Sequence, residues 1–209
     1  MRISKTYQRL YETMYEPNML ILLVGKSGSG KSTFQQELEK RWYLHSVQSY
    51  TTRPKRSDNE TGHIFVTKEE FDALENKVAY TEFDGYEYCA TKEQLDKSEV
   101  YIIDPQGLES LKQNYDGKFL FVVYLKAKEY ICTQRMLMRG DSVEKVRERI
   151  EHDKRVFKDV KFDYILNADG TIEKMLEEFI DIYSYARVNV NLCRLEDEVE
   201  RLKCMTKLP

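Results

Sequence analysis

The run MLILLV at positions 19–24 constrains this chain more than any other stretch. Six consecutive apolar residues leave no polar face, so the run fits a strand covered on both sides, as in a parallel sheet flanked by helices. A glycine-rich turn, GKSGSGKS (25–32), follows immediately, and KSTFQQELEKRW (31–42) has the composition of a helix. Two further apolar runs, VYIID (100–104) and KFLFVVYL (118–125), are each followed by a helical stretch, and FDYIL (162–166) supplies a last strand. Buried strands alternating with helices predict an α/β fold whose strands run parallel.

Between about 50 and 91 the texture changes. A polar loop, SYTTRPKRSDNETG (49–62), leads into HIFV, a short helix KEEFDALEN and the aromatic-rich VAYTEFDGYEYCAT. These alternating pieces predict small antiparallel strands partly open to solvent, forming a mixed α/β subdomain inserted in the core. The predicted organisation is a core at 19–48 and 98–187, a subdomain at 49–97 and a helical lid at about 135–158. Residues 1–18 form an N-terminal helical extension (helix 3–16, stopping before Pro17), and residues 188–209 a C-terminal one. Asp141 or Ser142 is positioned to cap the second lid helix. Near the C-terminus, Leu192, Leu195, Val199 and Leu202 alternate spacings of three and four. That seam either packs on its own domain or joins two copies as a homodimer.

The 209 residues suffice for one sizeable domain, and a formal net charge of −3 argues against nonspecific nucleic-acid binding. Any anion site must then be local. The cysteines Cys89, Cys132, Cys193 and Cys204 form no CxxC pair and read as reduced thiols. With neither a membrane-spanning run nor the apolar core of a leader peptide in view, the expected location is the cytoplasm. The histidines His45, His63 and His152 form no catalytic constellation and read as surface residues.

Residues 25–32 match G-x-x-x-x-G-K-[ST] at Gly25, Gly30, Lys31 and Ser32. Glycines let such a turn fold tightly and aim successive N–H groups at phosphate oxygens, with Lys31 reaching the terminal phosphates and Ser32 ligating Mg²⁺. The helix that opens behind the turn adds its partial positive charge. The motif lies between a buried strand and a helix, as this mechanism requires, and predicts binding of a nucleoside triphosphate with Mg²⁺ by Gly25, Ser27, Gly28, Ser29, Gly30, Lys31, Ser32 and Thr33. A small kinase built on such a cradle needs a second anion site for its acceptor. The arginines of the polar loop suit that task, because a guanidinium fork binds phosphate bidentately and does not titrate away.

SYTTRPKRSDNETGHIFV resembles the monophosphate-binding loop of guanylate kinases, and GYEY (85–88), IDPQG (103–107), RMLMRGDS (135–142), ERI (148–150) and LNAD (166–169) follow in the family's order. The resemblance extends from about Met19 to about Ile182. It implies that Arg53 and Arg56 hold the acceptor phosphate, with Tyr88 and Phe65 supporting it or the base. Phe65 stands where the family usually has tyrosine. Ser49 falls on a guanine-reading serine, and Asp104 on an aspartate that organises the metal and the acceptor. Arg135 and Arg139 face the ATP phosphates and adenine from the lid, Arg149 bridges the nucleotides and Asn167 lines the adenine site. The implied catalytic residues are Lys31, Arg53, Arg139 and Arg149, and the implied metal ligands Ser32 and Asp104.

The chain departs from the family where a glutamate reads guanine: alignment on Gly85 and Tyr88 places Ala79 there, Tyr80 at the following tryptophan and Ala90 at a small hydroxyl residue. Glu82, three residues on, is the substitute carboxylate, although an odd offset turns a regular strand's side chain to the other face. The family pattern implies transfer of the γ-phosphate of MgATP to GMP or dGMP. The missing glutamate leaves room for another purine or modified monophosphate. A non-catalytic interaction module is a third reading, disfavoured by the intact Lys31 and Ser32.

Overall fold

The computed structural model describes residues 19–55, 58, 60 and 62–206. The expected N-terminal helix at 3–16 lies outside the described residues, as does Arg56. Strand β1 (Met19–Val24) occupies the interior of a four-stranded parallel sheet of order β6-β1-β7-β8, where β6 is Val100–Ile102, β7 Phe119–Lys126 and β8 Tyr164–Asn167. Every β1 side chain is buried, and period-two alternation divides them between two cores. Ile21 and Leu23 pack with Phe34 and Leu38 of α1 (Lys31–Trp42) and with Leu176 and Phe179 of α7 (Ile172–Thr206). Leu20, Leu22 and Val24 join the opposite cluster with Leu108 and Leu111 of α4 (Pro105–Asn114). The Phe34 and Phe179 rings meet edge to face at 5.2 Å, and Trp42 stacks on Phe179 at 5.6 Å.

A second four-stranded sheet has the order β3-β2-β5-β4, with β2 at Ser49–Thr51, β3 at His63–Phe65, β4 at Lys77–Phe83 and β5 at Tyr86–Thr91. Its strands are not all antiparallel as expected: β2 and β3 run parallel, paired Ser49 to His63 and Thr51 to Phe65. The long polar loop between them permits this, because it returns the chain to the starting edge before β3 begins, which a tight hairpin cannot do. Short helices α2 (Lys68–Asp72) and α3 (Lys92–Asp96) start from reciprocal capping boxes, Thr67 with Glu70 and Thr91 with Gln94. Asp84 and Gly85 turn the β4–β5 hairpin with φ of 55° and 74°, the left-handed pair that matches strand twist.

Strand β4 is irregular: Val78 faces Ala90 but Thr81 faces Tyr88, so Ala79 and Tyr80 together oppose Cys89. This bulge sets Ala79 at φ 53°, an uncommon conformation for a residue with a Cβ. Helices α5 (Glu129–Met138) and α6 (Val143–Val156) pack through Cys132, Met136 and Val146, and Ser142 caps α6 by accepting from the Lys145 N–H. Helix α7 crosses residue 188 without a break. Among the described residues, no helix is long and apolar enough to cross a membrane.

Candidate active site

Open α/β sheets place ligands beyond the carboxyl ends of their strands, and the loops leaving β1 and β6 meet at that edge. After β1 the chain enters the glycine turn, where Gly28 and Gly30 take φ of 75° and 101°. A Cβ on Gly28 would lie 2.5 Å from the Cys132 carbonyl oxygen, so the loop passes closer to α5 than any side chain permits. Gly30 caps α1 with no side-chain hydrogen bond, which leaves the first N–H groups of that helix for a ligand. Arg135 fastens the loop from outside, donating to the carbonyls of Gly28 (3.4 Å), Ser29 (3.2 Å) and Ala168 (3.0 Å). The buried Ser29 hydroxyl has no hydrogen-bond partner among the described residues.

The resulting cavity is lined by Ser27, Gly28, Ser29, Gly30, Lys31, Ser32 and Thr33 of the turn, and by Arg135, Arg139 and Arg149. Gly25 lines the adjoining cavity. Lys31 folds back on its own loop, donating to the carbonyls of Gly25 (2.6 Å) and Lys26 (3.1 Å). Burial lowers its ammonium pKa to about 8, against the opposing pull of the Asp153 carboxylate. Arg139 is tied to Asp141 through contacts of 3.1, 3.1 and 2.5 Å. Asn167 is not brought to this cavity. It is exposed at the end of β8, its side-chain oxygen accepting from the Asp169 N–H at 3.0 Å.

A second cavity lies between the two sheets, and Ser49, Tyr88, Asp104 and Arg149 line it. Asp104 accepts from the Gly107 N–H at 2.9 Å and so caps α4. Arg53 opens onto an adjoining cavity with Glu60, His63, Tyr88 and Ser32. It is only 8% exposed and pairs with Glu60 through bonds of 2.7 and 3.3 Å, while its buried Nε has no hydrogen-bond partner among the described residues. Burial works against the Arg53 charge, but hydrogen bonding and charge from Glu60, followed by Tyr88, offset it and hold the guanidinium above its ordinary pKa.

The lining of this cavity differs from the expected set at Phe65 and at two histidines. Phe65 does not line it; its ring lies under Arg53 and Lys55, with centroid distances of 5.3 and 5.5 Å. The ring facing the cavity is His63, which shares a 2.9 Å hydrogen bond with Ser49 and meets Tyr88 edge on. His152 likewise lines the cavity, its ring 4.9 Å from that of Phe83, so two histidines read as surface residues belong to the site. Glu82 lines the cavity from an exposed position, and its charge acts on Tyr80, whose hydroxyl donates to Glu87. The bulge places Thr81 beside Tyr88, and the Thr81 hydroxyl donates to Gln106 at 3.2 Å. Ala79 is buried and absent from the lining.

Sequence reasoning also missed Tyr101, Gln106 and Asp153, all of which line the cavity. Tyr101 is buried there, and burial followed by the Asp104 charge pushes its phenol pKa upward. No local pattern marks these residues, although IDPQG included Gln106. The two cavities share a wall made of Ser27, Lys31 and Arg149.

The guanylate kinase family model matches residues 17–184. The chain belongs to the guanylate kinase family. It is 32% identical over 184 residues to the guanylate kinase of Helicobacter pylori, covering 81% of this chain and 88% of that one. It is 36% identical over 157 residues to that of Streptococcus agalactiae, covering 68% and 74%. The guanylate kinase structure from Anaplasma phagocytophilum matches with a TM-score of 0.56 at 14% identity, covering 84% of this chain and 89% of that chain, which establishes the fold. Identities of 32% and 36% make the chain a divergent member of this family.

Proposed function

We propose that this guanylate-kinase-family chain transfers the γ-phosphoryl group of MgATP to GMP or dGMP, giving ADP and GDP or dGDP. The observation that carries the proposal is the wall of Ser27, Lys31 and Arg149 shared by the two cavities. A donor triphosphate in one and an acceptor monophosphate in the other would meet across cationic groups. Phosphoryl transfer asks chiefly for two anions held in line with their charge neutralised. Lys31 and Arg149 are placed to neutralise the transferring group, with Arg139 joining them once released from Asp141. Arg53, with Arg56 beyond the described residues, would grip the acceptor phosphate, while Ser49 and Tyr88 would orient the nucleoside. Arg135 would keep the cradle in shape beside the adenine.

The Ser32 hydroxyl and the Asp104 carboxylate are hard oxygens of the kind Mg²⁺ takes, Ser32 in the lining of the glycine-turn cavity and Asp104 in that of the adjoining one. Bound there, the ion would supply further charge neutralisation on the phosphates. The organisation proposed is a core at 19–48 and 98–187, an acceptor subdomain at 49–97 and a lid at about 135–158, acting in the cytoplasm. Self-association through α7 is proposed from its outward Tyr185, Val188 and Leu192, each more than half exposed. Light scattering that finds only monomer would refute it.

The function is tested by coupled ADP release with MgATP and a panel of GMP, dGMP, AMP and IMP. Turnover confined to GMP and dGMP supports the assignment. Turnover with a different base alone rejects the guanine assignment, and a folded protein that binds ATP but turns over none of them rejects the enzyme.

A further inference from the structure

A carboxylate of α6 reaches the glycine turn from the second cavity. Asp153, in the third turn of α6, is 6% exposed, and its Oδ2 accepts from the Ser27 backbone N–H at 2.7 Å. Ser27 belongs to the loop whose N–H groups face phosphate, and it lines both cavities. The field of the same carboxylate helps hold the proton on Lys31 against burial. A buried carboxylate on a backbone N–H and beside an ammonium is a satisfied ion, and it offers the cradle the kind of group an incoming phosphate oxygen offers. The adjacent residues tie this contact to the rest of the site. His152 packs on Phe83 of the acceptor sheet, and Arg149, one turn earlier on α6, lines both cavities.

We propose that Asp153 is an internal competitor of the donor triphosphate: in the nucleotide-free enzyme its carboxylate holds the Ser27 N–H beside Lys31, and ATP binds by displacing it. Both anions seek the same donors, and in a partly desolvated site two of like sign cannot share them without mutual repulsion. Displacement turns the Asp153 carboxylate away from the phosphate loop while Arg149, one turn earlier, stays at both cavities, and the adjoining His152 against Phe83 carries the change to the acceptor wall. The residue thereby sets donor affinity without touching the reacting atoms. The inference rests on the donor-site reading above, and the test separates the two.

Calorimetry measures the Kd of wild type, Asp153→Asn and Asp153→Glu for ATP and for tripolyphosphate, each with Mg²⁺ and with EDTA. Asparagine keeps the acceptor oxygen and the shape but removes the charge; glutamate keeps the charge. The expected result is Kd about tenfold lower for Asp153→Asn toward both ligands, within the range of ordinary coupling. The gain persists in EDTA, and Asp153→Glu stays near wild type. Unchanged or weaker binding by Asp153→Asn overturns the proposal: loss in both media marks a prop for the loop, and loss only with Mg²⁺ marks a metal ligand. Thermal melts of the nucleotide-free variants confirm that each is folded. A folded wild type that binds neither ATP nor tripolyphosphate overturns the donor-site reading itself, and this proposal with it.

Discussion

Replacing Gly28 by alanine tests whether the phosphate loop depends on its close approach to α5. Two costs add at this position. The backbone has φ of 75°, where a Cβ costs roughly 1–2 kcal/mol. The new methyl would also lie 2.5 Å from the Cys132 carbonyl oxygen and 3.0 Å from its Cα, both backbone atoms that no rotamer change can clear. Overpacking of this kind costs roughly 1–3 kcal/mol, so the total is roughly 2–5 kcal/mol, shared between lost stability and a displaced loop. Gly85 supplies the internal control. Its φ of 74° is nearly the same, but an added Cβ meets nothing within 4 Å, so Gly85→Ala carries the conformational cost alone. Urea unfolding of both variants, with ATP affinity by calorimetry, separates the terms. Gly28→Ala is expected to lose clearly more stability than Gly85→Ala and at least tenfold in ATP affinity, while Gly85→Ala binds ATP as wild type does. Equal losses in the two variants would refute the close-approach argument and leave only backbone strain.

Arg53→Ala removes the buried partner of Glu60 and the proposed acceptor grip. The loss of charge-assisted bonds worth roughly 1.5–3 kcal/mol should raise the KM for the monophosphate by ten- to a hundredfold, while ATP Kd is unchanged; a comparable loss of ATP binding would show that the loop serves the donor. The Lys31 ammonium, lowered by burial to about 8 from 10.5, gives donor binding a pH dependence. Below about pH 8 the free enzyme carries the proton that a triphosphate favours. Above it, binding must take up that proton, so ATP affinity falls by up to tenfold per pH unit until the higher pKa of the bound state is reached. Calorimetry between pH 6.5 and 9.5 should show the break in wild type and none in Lys31→Met; a break that survives the substitution belongs to another group.

Much of the fold was legible because its signals are local. MLILLV could only be a doubly covered strand, and GKSGSGKS could only turn tightly into KSTFQQELEKRW, which is helical over the predicted residues Lys31–Trp42. Ser142 caps its helix as its position suggested. The phosphate loop, Ser49, Tyr88, Asp104 and Arg149 were found in the sequence and stand around the cavities. Asn167 and Phe65 lie outside these linings, Asn167 bonded to the Asp169 N–H at the end of β8 and Phe65 under Arg53 and Lys55, placements set by tertiary packing.

By itself, then, the sequence determined the layer architecture, the donor cradle and the likeness to guanylate kinases, since each is written in contiguous residues whose spacing dictates backbone shape. Only the tertiary structure decided how the acceptor wall is made. A single inserted residue at Ala79–Tyr80 reverses strand parity, which offsets the odd spacing of Glu82 from Ala79, lets Glu82 line the cavity and sets Thr81 beside Tyr88. His63 reaches Ser49 across fourteen residues, and Asp153 reaches the Ser27 N–H across 126. Contacts over such separations depend on how two sheets and a helix pack, and no local pattern encodes them.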